Sequence, residues 1–465
     1  MARYIDTSSS PLATEPVGRL LCRFSIPAVI SMLVDSLYNV VDQIYIGHGI
    51  GMLGIAATNV AFPMTIICTS LSLLIGVGCA ANFNLNMGAG KRERAAHILG
   101  VALSLLMIVG VVYAAAANLF LADILTLFGM TDQIKPYAMP YSRIVSVGFP
   151  FLIFANASSH LIRADGNPRF SMSIMLSGAV FNIVFDPIFL FVFDMGIEGI
   201  ALATTLGQVL SASLALYYFR HKFRSVAIKK SYLRPSFIHA KAIASLGVSF
   251  FINQIAMMIV QIALNNTLRH YGALSAYGSE IPIASVGMIM KTNTLFMALI
   301  IGIAQGSQPI NGFNYGAGNY DRVRQTYRRA LAAGTCVSAL AFITYQVFPY
   351  RVVAAFGAKN PELISFSVRW MRIFMFMTIA NGIQPITANF FTSIGRAKMG
   401  IIMSLTRQVI FLLPLITILP AFWGIDGMMF AGPVADTAAV AAAVLLVRRE
   451  FNRMSMLAWS ESAVF

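Results

Sequence analysis

Asn86-Met87-Gly88-Ala89-Gly90 closes a run from 43 to 90 that holds no Asp, Glu, Lys or Arg. It returns 228 positions later as Asn314-Tyr315-Gly316-Ala317-Gly318. Two more pairs keep that offset: Phe128-Gly129 with Phe356-Gly357, and Gly196-Ile197-Glu198-Gly199 with Gly424-Ile425-Asp426-Gly427. A fourth, Gly166 with Gly395, is displaced by 229. Chance matches would not share one offset, so the chain reads as two related halves. The expected domains are 1–225 and 242–465, joined by the basic linker 226–241.

Similar charge-free runs cover 95–122, 144–162, 199–219, 242–268, 292–320, 330–350 and 373–395. About 20 apolar residues cross a bilayer as a helix. Of the 465 residues 58% are hydrophobic and 11% charged, too few polar side chains to cover a water-exposed surface. Lipid offers backbone groups no water, and continuous apolar runs exclude an alternating barrel. The fold class is therefore all-α, with twelve transmembrane helices expected near 21–46, 53–86, 95–120, 138–161, 170–193, 199–219, 242–268, 282–312, 330–350, 363–393, 400–420 and 427–447. Six helices per half return the chain to its starting side, so the two six-helix lobes run parallel. The polar first 18 residues show no secretory signal, and the first helix itself is expected to direct insertion.

The net charge of +15 is distributed unevenly. With the N-terminus inside, alternate loops on that side gather Arg3, Arg19, Lys91, Arg92, Arg94, Arg163, the cluster from Arg220 to Lys241, Arg322, Arg324, Arg328, Arg329, Arg396 and Arg448. The other side holds little beyond Lys135, Arg143, Arg269, Arg351 and Lys359. This is the positive-inside asymmetry. It predicts a multi-pass protein of the cell inner (plasma) membrane with both termini cytoplasmic, and it requires no nucleic-acid partner. Cys22, Cys68, Cys79 and Cys336 lack metal-ligand spacing and read as small apolar fillers.

Asp35, Asp42, Asp186 and Asp436 fall inside expected spans, where a carboxylate is costly unless it does work. Asp35, Tyr38 and Asp42 share one face of the first helix. Asn182 and Asp186 lie one turn apart on the fifth, Thr204 and Gln208 one turn apart on the sixth, and Asn156 deep in the fourth. This oxygen-rich set, all in the N-terminal half, suits a hard cation, with Na+ expected at Asp42, Asn182 and Asp186. A desolvated carboxylate can also trade protons near neutral pH, so H+ and Na+ both remain open as the coupling ion. Pro27 should kink the first helix and serve as a hinge. At the 228 offset Asp186 becomes Pro414 and Asn182 becomes Ile410, so the C-terminal half does not repeat the site. Its buried charges are Lys291, Arg407 and Asp436, with a basic residue paired to Asp436 the simplest reading and a substrate contact the sharper one for Lys291 or Arg407.

Along its full length the chain resembles the MATE (multidrug and toxic compound extrusion) family. The resemblance rests on Ile26-Pro27 followed by Leu37-Tyr38-Asn39-Val40-Val41-Asp42, and on Arg163-Ala164-Asp165-Gly166-Asn167-Pro168. It rests also on Asn182-Ile183-Val184-Phe185-Asp186-Pro187 and on Gln305-Gly306-Ser307-Gln308-Pro309 with Gly312-Phe313-Asn314-Tyr315-Gly316-Ala317. The resemblance implies efflux of small, often cationic and lipophilic compounds, driven by H+ or Na+. It implies coupling at Asp42, Asn182 and Asp186, with Tyr38, Asn156 and Thr204 around them and Pro27 as the bending proline. Asp35 is outside that pattern. No cofactor and no obligate protein partner are expected; the bilayer and a small-molecule substrate are.

The nearest alternative is a lipid-linked oligosaccharide flippase on a related scaffold, which Lys291 and Arg407 keep open. The basic motif of major-facilitator transporters is absent where Gly88-Ala89-Gly90-Lys91-Arg92-Glu93-Arg94 stands. A membrane enzyme would need a nucleophile-base pair or a metal cluster, and the six histidines are scattered.

Overall fold

The computed structural model describes residues 10–357 and 360–462; Arg3 and Lys359, counted in the charge asymmetry, lie outside them. No β-strand occurs among the described residues. The first six long helices are α1 (Val17–Gly49), α2 (Met52–Gly88), α3 (Arg92–Leu119), α4 (Lys135–Ala164), α5 (Pro168–Pro187) and α6 (Gly196–His221). Then come α7 (Phe237–Ala273), α8 (Glu280–Gly316) and α9 (Tyr320–Val347). A bent pair, Pro361–Phe374 with Phe376–Ser393, turns by 42° and forms α10. The last helical stretch, Ala397–Trp459, runs for 63 residues. At 1.5 Å per residue that is about 95 Å, three times the bilayer core, so one span cannot account for it. Gly424, at φ 59° and ψ −148°, breaks it into α11 (397–423) and α12 (425–462).

Among the described residues, ten helices are thus long and apolar enough to cross a membrane, or eleven counting the bent pair. The Gly424 break supplies the twelfth span. The chain is a multi-pass, nearly all-helical membrane protein.

The glycines of the sequence repeat have a backbone reason. Gly90 and Gly318 close α2 and α8 at φ 72° and 75°. In both halves the same pair of hydrogen bonds forms: Lys91 N to Asn86 O and Gly90 N to Met87 O, then Asn319 N to Asn314 O and Gly318 N to Tyr315 O. This C-cap needs a left-handed residue that only glycine supplies without strain. Gly196 and Gly424 match at φ 58° and 59°. The break in the last stretch therefore repeats the start of α6.

Two compact units emerge: 26–251 in one, 11–25 with 252–465 in the other. The first turns of α1 thus belong to the second unit, and the first turns of α7 to the first. In the first unit α4 is central, packing on α2, α3, α5 and α6. Lipid gives no hydrophobic drive between helices, so close approach through small residues carries the packing. Gly78 and Gly247 let α2 and the start of α7 touch backbone to backbone; a side chain at Gly247 would overlap the Leu74 carbonyl. In the second unit Trp370, Phe374, Met428 and Met429 share one core with α7 and α8.

The linker is not a free tether. Its Lys230–Leu233 turn docks on α3, where Tyr232 covers Gly100 and packs against His97 with ring centres 3.9 Å apart and the rings tilted by 41°. α9 begins ten residues before its expected start at 330. Its basic turns at 320–329 are helical although too charged for lipid. α10 was expected as one span over 363–393, and the 3-10 turn Phe376–Ala380 bends it. Cys68 and Cys79 are buried as expected, whereas Cys22 and Cys336 are exposed, so the filler reading fails for those two.

Candidate functional site

The site grows from two helix turns. One turn beyond Asp42 on α1, Ile46 packs against Leu190 and Ile200, with Tyr141 at the rim. Leu190 itself stands one turn beyond Asp186. The contact holds α1 against the end of α5 and brings the two carboxylates within electrostatic reach. Pro187 ends the regular helix of α5, because it has no N–H to continue the ladder. A wider π turn follows at Ile188–Val192, closed by Phe193 N to Ile188 O at 3.0 Å.

Asn182 joins α5 to α6. Its Nδ2 lies 3.1 Å from Asp186 Oδ1 and 3.2 Å from Thr204 Oγ1. Asp186 is 1% exposed and Asp42 8% exposed. Asp42 Oδ1 and Asp186 Oδ2 are both buried with no hydrogen-bond partner among the described residues. Two buried carboxylate oxygens that no protein donor satisfies are costly unless something else does so. A proton on either oxygen, or a hard cation between them, meets that need.

Tyr38 is half-buried and within electrostatic reach of Asp35, Asp42 and Asp186. Tyr141 on α4 is within reach of Asp42 and Asp186. Sequence reasoning missed Tyr141, because one tyrosine in a charge-free run gives no signal until α4 is placed. Gln43, also missed, bonds Thr58 of α2 at 3.2 Å beside Asp42.

Other expected residues fall outside this network. Asp35 is exposed on the same face of α1. Asn156 is half-buried, and its side chain makes no hydrogen bond with the cluster. Gln208 turns toward α4, where the missing side chain of Gly148 makes room for it; its Oε1 is buried without a partner among the described residues. Pro27 is buried inside α1, one residue after the unit boundary at Ile26.

In the second unit Arg407 donates from Nε to Asp436 Oδ1, which is 4% exposed as a side chain. Arg407 sits on the π turn Thr406–Leu412, which precedes the last stretch of α11. Lys291 on α8 is exposed and makes no ion pair among the described residues. No cluster of three or more His, Cys, Asp or Glu that could hold a metal occurs among the described residues. A sodium ion would draw instead on Asp42, Asp186 and the amide and hydroxyl oxygens of Asn182 and Thr204.

The MatE family model matches the chain twice, over residues 27–188 and 250–418. The chain is 23% identical over 442 residues to the multidrug export protein MepA of Staphylococcus aureus strain MRSA252, covering 95% of this chain and 96% of that one. It is 21% identical over 440 residues to MepA of Staphylococcus haemolyticus, with 95% of each covered. Among solved structures, a multidrug resistance MATE transporter in an outward-facing conformation superposes with TM-score 0.88 at 22% identity, covering 96% of this chain and 98% of that one. A MOP superfamily transporter from Pyrococcus furiosus gives the same values. The family matches carry the classification, and the structures carry the two-lobe fold. The chain belongs to the MATE family of membrane transporters, and it is not an enzyme.

Proposed function

We propose that this transporter exports small organic compounds, cationic and lipophilic ones among them, by antiport with H+ or Na+ bound in the N-terminal lobe. One observation carries the reading: Asp42 and Asp186 bury carboxylate oxygens without protein partners, while Asn182 ties Asp186 to Thr204. A site left one ligand short is what an exchangeable ion needs. It binds when the lobe is closed on it and leaves when the substrate arrives. The relatives named as multidrug export proteins support the direction of transport.

The lobes 1–225 and 242–465 are the moving bodies of this account, with 226–241 as their linker and Pro27 as the hinge. Loss of one backbone hydrogen bond at Pro27 lets α1 bend at low cost. Both termini face the cytoplasm of the cell inner membrane, as the basic loops require. The flippase alternative loses Arg407, because that side chain is committed to Asp436. Lys291 is what remains of it.

The test is uptake of a fluorescent organic cation into inverted vesicles carrying the purified chain, energised in turn by a proton and a sodium gradient. One gradient is expected to drive accumulation, and dissipating it should release the dye. Movement under neither gradient, with the protein inserted and folded, contradicts antiport.

A further inference from the structure

Lys291 is the only charged residue of α8 after its first, Glu280. It lies eleven residues in, about 16 Å along the helix. Its surroundings do not read as a lipid-facing surface. The exposed residues on its side of the helix are Ala284, Gly287, Thr294 and Leu295, and nothing lies within 4 Å of where a Gly287 side chain would begin. Ile283 flanks this stripe. By contrast, α3 presents Met107, Ile108, Val111 and Val112 outward, as a lipid face does.

α7 shares a core with α8 and carries exposed amides of its own, beside the apolar Ile262. Val260 and Leu264 of α7 share a core with Val286 and Ile289 of α8. Gln261 and Asn265 of α7 are exposed, and the Gln261 amide donates to Asn265 Oδ1 at 3.1 Å. Paired amides on an apolar span point to water or a polar ligand rather than to acyl chains. No Asp or Glu occurs in α7, and Asp436 already serves Arg407. A cation on an apolar span without a counter-charge of its own is a binding feature by default.

We infer that Lys291 recognises an anionic group, a carboxylate first of all, on the transported compound, with the exposed amides of Gln261 and Asn265 on α7 as further polar groups. The inference rests on the export reading above and narrows its substrates: compounds carrying a carboxylate, zwitterions included, are favoured over pure cations. The second unit then has the opposite charge from the acidic cluster of the first, and each recognises a different charge.

A matched pair of probes separates the terms: a rhodamine with a free benzoate, and its methyl ester, which differ only in the anionic group. Binding to the purified full chain is read by fluorescence anisotropy, and gradient-driven uptake in inverted vesicles. Wild type should prefer the acid. Lys291→Gln and Lys291→Met should lower the acid-to-ester ratio by about tenfold or more, the worth of one charged hydrogen bond, and Lys291→Arg should retain most of it. An unchanged ratio in Lys291→Gln, with the ester still bound and transported, overturns the inference and leaves export standing. Equal loss of both dyes in a folded Lys291→Gln protein also overturns it, because the lysine then acts without regard to the anion. Failure of wild type to move either dye under any gradient overturns the export reading, and this inference falls with it.

Discussion

Asn182 holds Asp186 and Thr204 together with a single amide group, at 3.1 and 3.2 Å, across the boundary between α5 and α6. One buried amide therefore fixes which Asp186 oxygen is satisfied and which is left without a partner among the described residues. Asn182→Ala removes both bonds and should lower stability by about 1–3 kcal/mol. Gradient-driven transport should fall by more than the loss of folded protein explains. The check is transport per folded molecule, with folded protein counted by a thermal melt. Unchanged transport per molecule contradicts a role in coupling.

The Arg407–Asp436 pair predicts an asymmetric mutational pattern. Arg407→Leu leaves a 4% exposed carboxylate without its partner and should cost up to about 3–5 kcal/mol. Arg407→Leu with Asp436→Leu should recover much of that stability, since no charge is then stranded. If the double variant folds and transports normally, Arg407 is a structural residue. A double variant as unstable as the single contradicts the pairing.

Asp165 lies just beyond the end of α4 and accepts the Tyr218 hydroxyl at 2.7 Å and the Ser225 amide at 3.0 Å. It anchors the start of the linker. Burial raises its pKa from the ordinary value of 3.8, and hydrogen bonds from Ser225 and Tyr218 pull it partly back. A carboxyl with a raised folded-state pKa holds its proton more tightly when folded. Its contribution is full below the unfolded value and declines as pH rises through the folded one. The melting temperature of wild type should therefore fall relative to Asp165→Asn as pH rises from about 4 through the raised folded-state value. Parallel melting curves across that range contradict the assignment.

Gly247 lets the start of α7 lie against the Leu74 carbonyl of α2, and Gly100 seats Tyr232. Gly247→Leu should overpack the first crossing and cost about 1–3 kcal/mol. Gly90→Ala, whose Cβ has nothing within 4 Å, acts through the positive φ alone and should cost about 1 kcal/mol. Equal melting shifts at the two sites contradict the crossing as drawn.

Eight of the spans were legible from charge-free runs, since charge is costly along a helix in lipid, whereas the first, fifth, eleventh and twelfth carry charged residues and show less plainly. The repeat was legible because the caps at Gly90 and Gly318 need a left-handed backbone, which pins glycine at the same place in each half. Asp42, Asn182, Asp186 and Thr204 could be named because polar groups stand out in apolar helices. Tyr141 and Gln43 could not, since their part depends on how α4 and α2 meet α1. The bend of α10 carries no charge or proline at 375–380 to announce it. The docking of Tyr232 on α3 also escaped, because a basic linker reads as solvated until the glycine opposite it is placed.

The most direct test of the coupling site is gradient-driven dye accumulation in inverted vesicles by wild type, Asp42→Asn and Asp186→Asn, at matched amounts of folded protein. Each variant keeps the shape of the side chain and removes the carboxylate proposed to carry the ion. Accumulation lost in both, with dye binding retained, is the predicted result. Accumulation at the wild-type rate in both variants would contradict an ion site at Asp42 and Asp186.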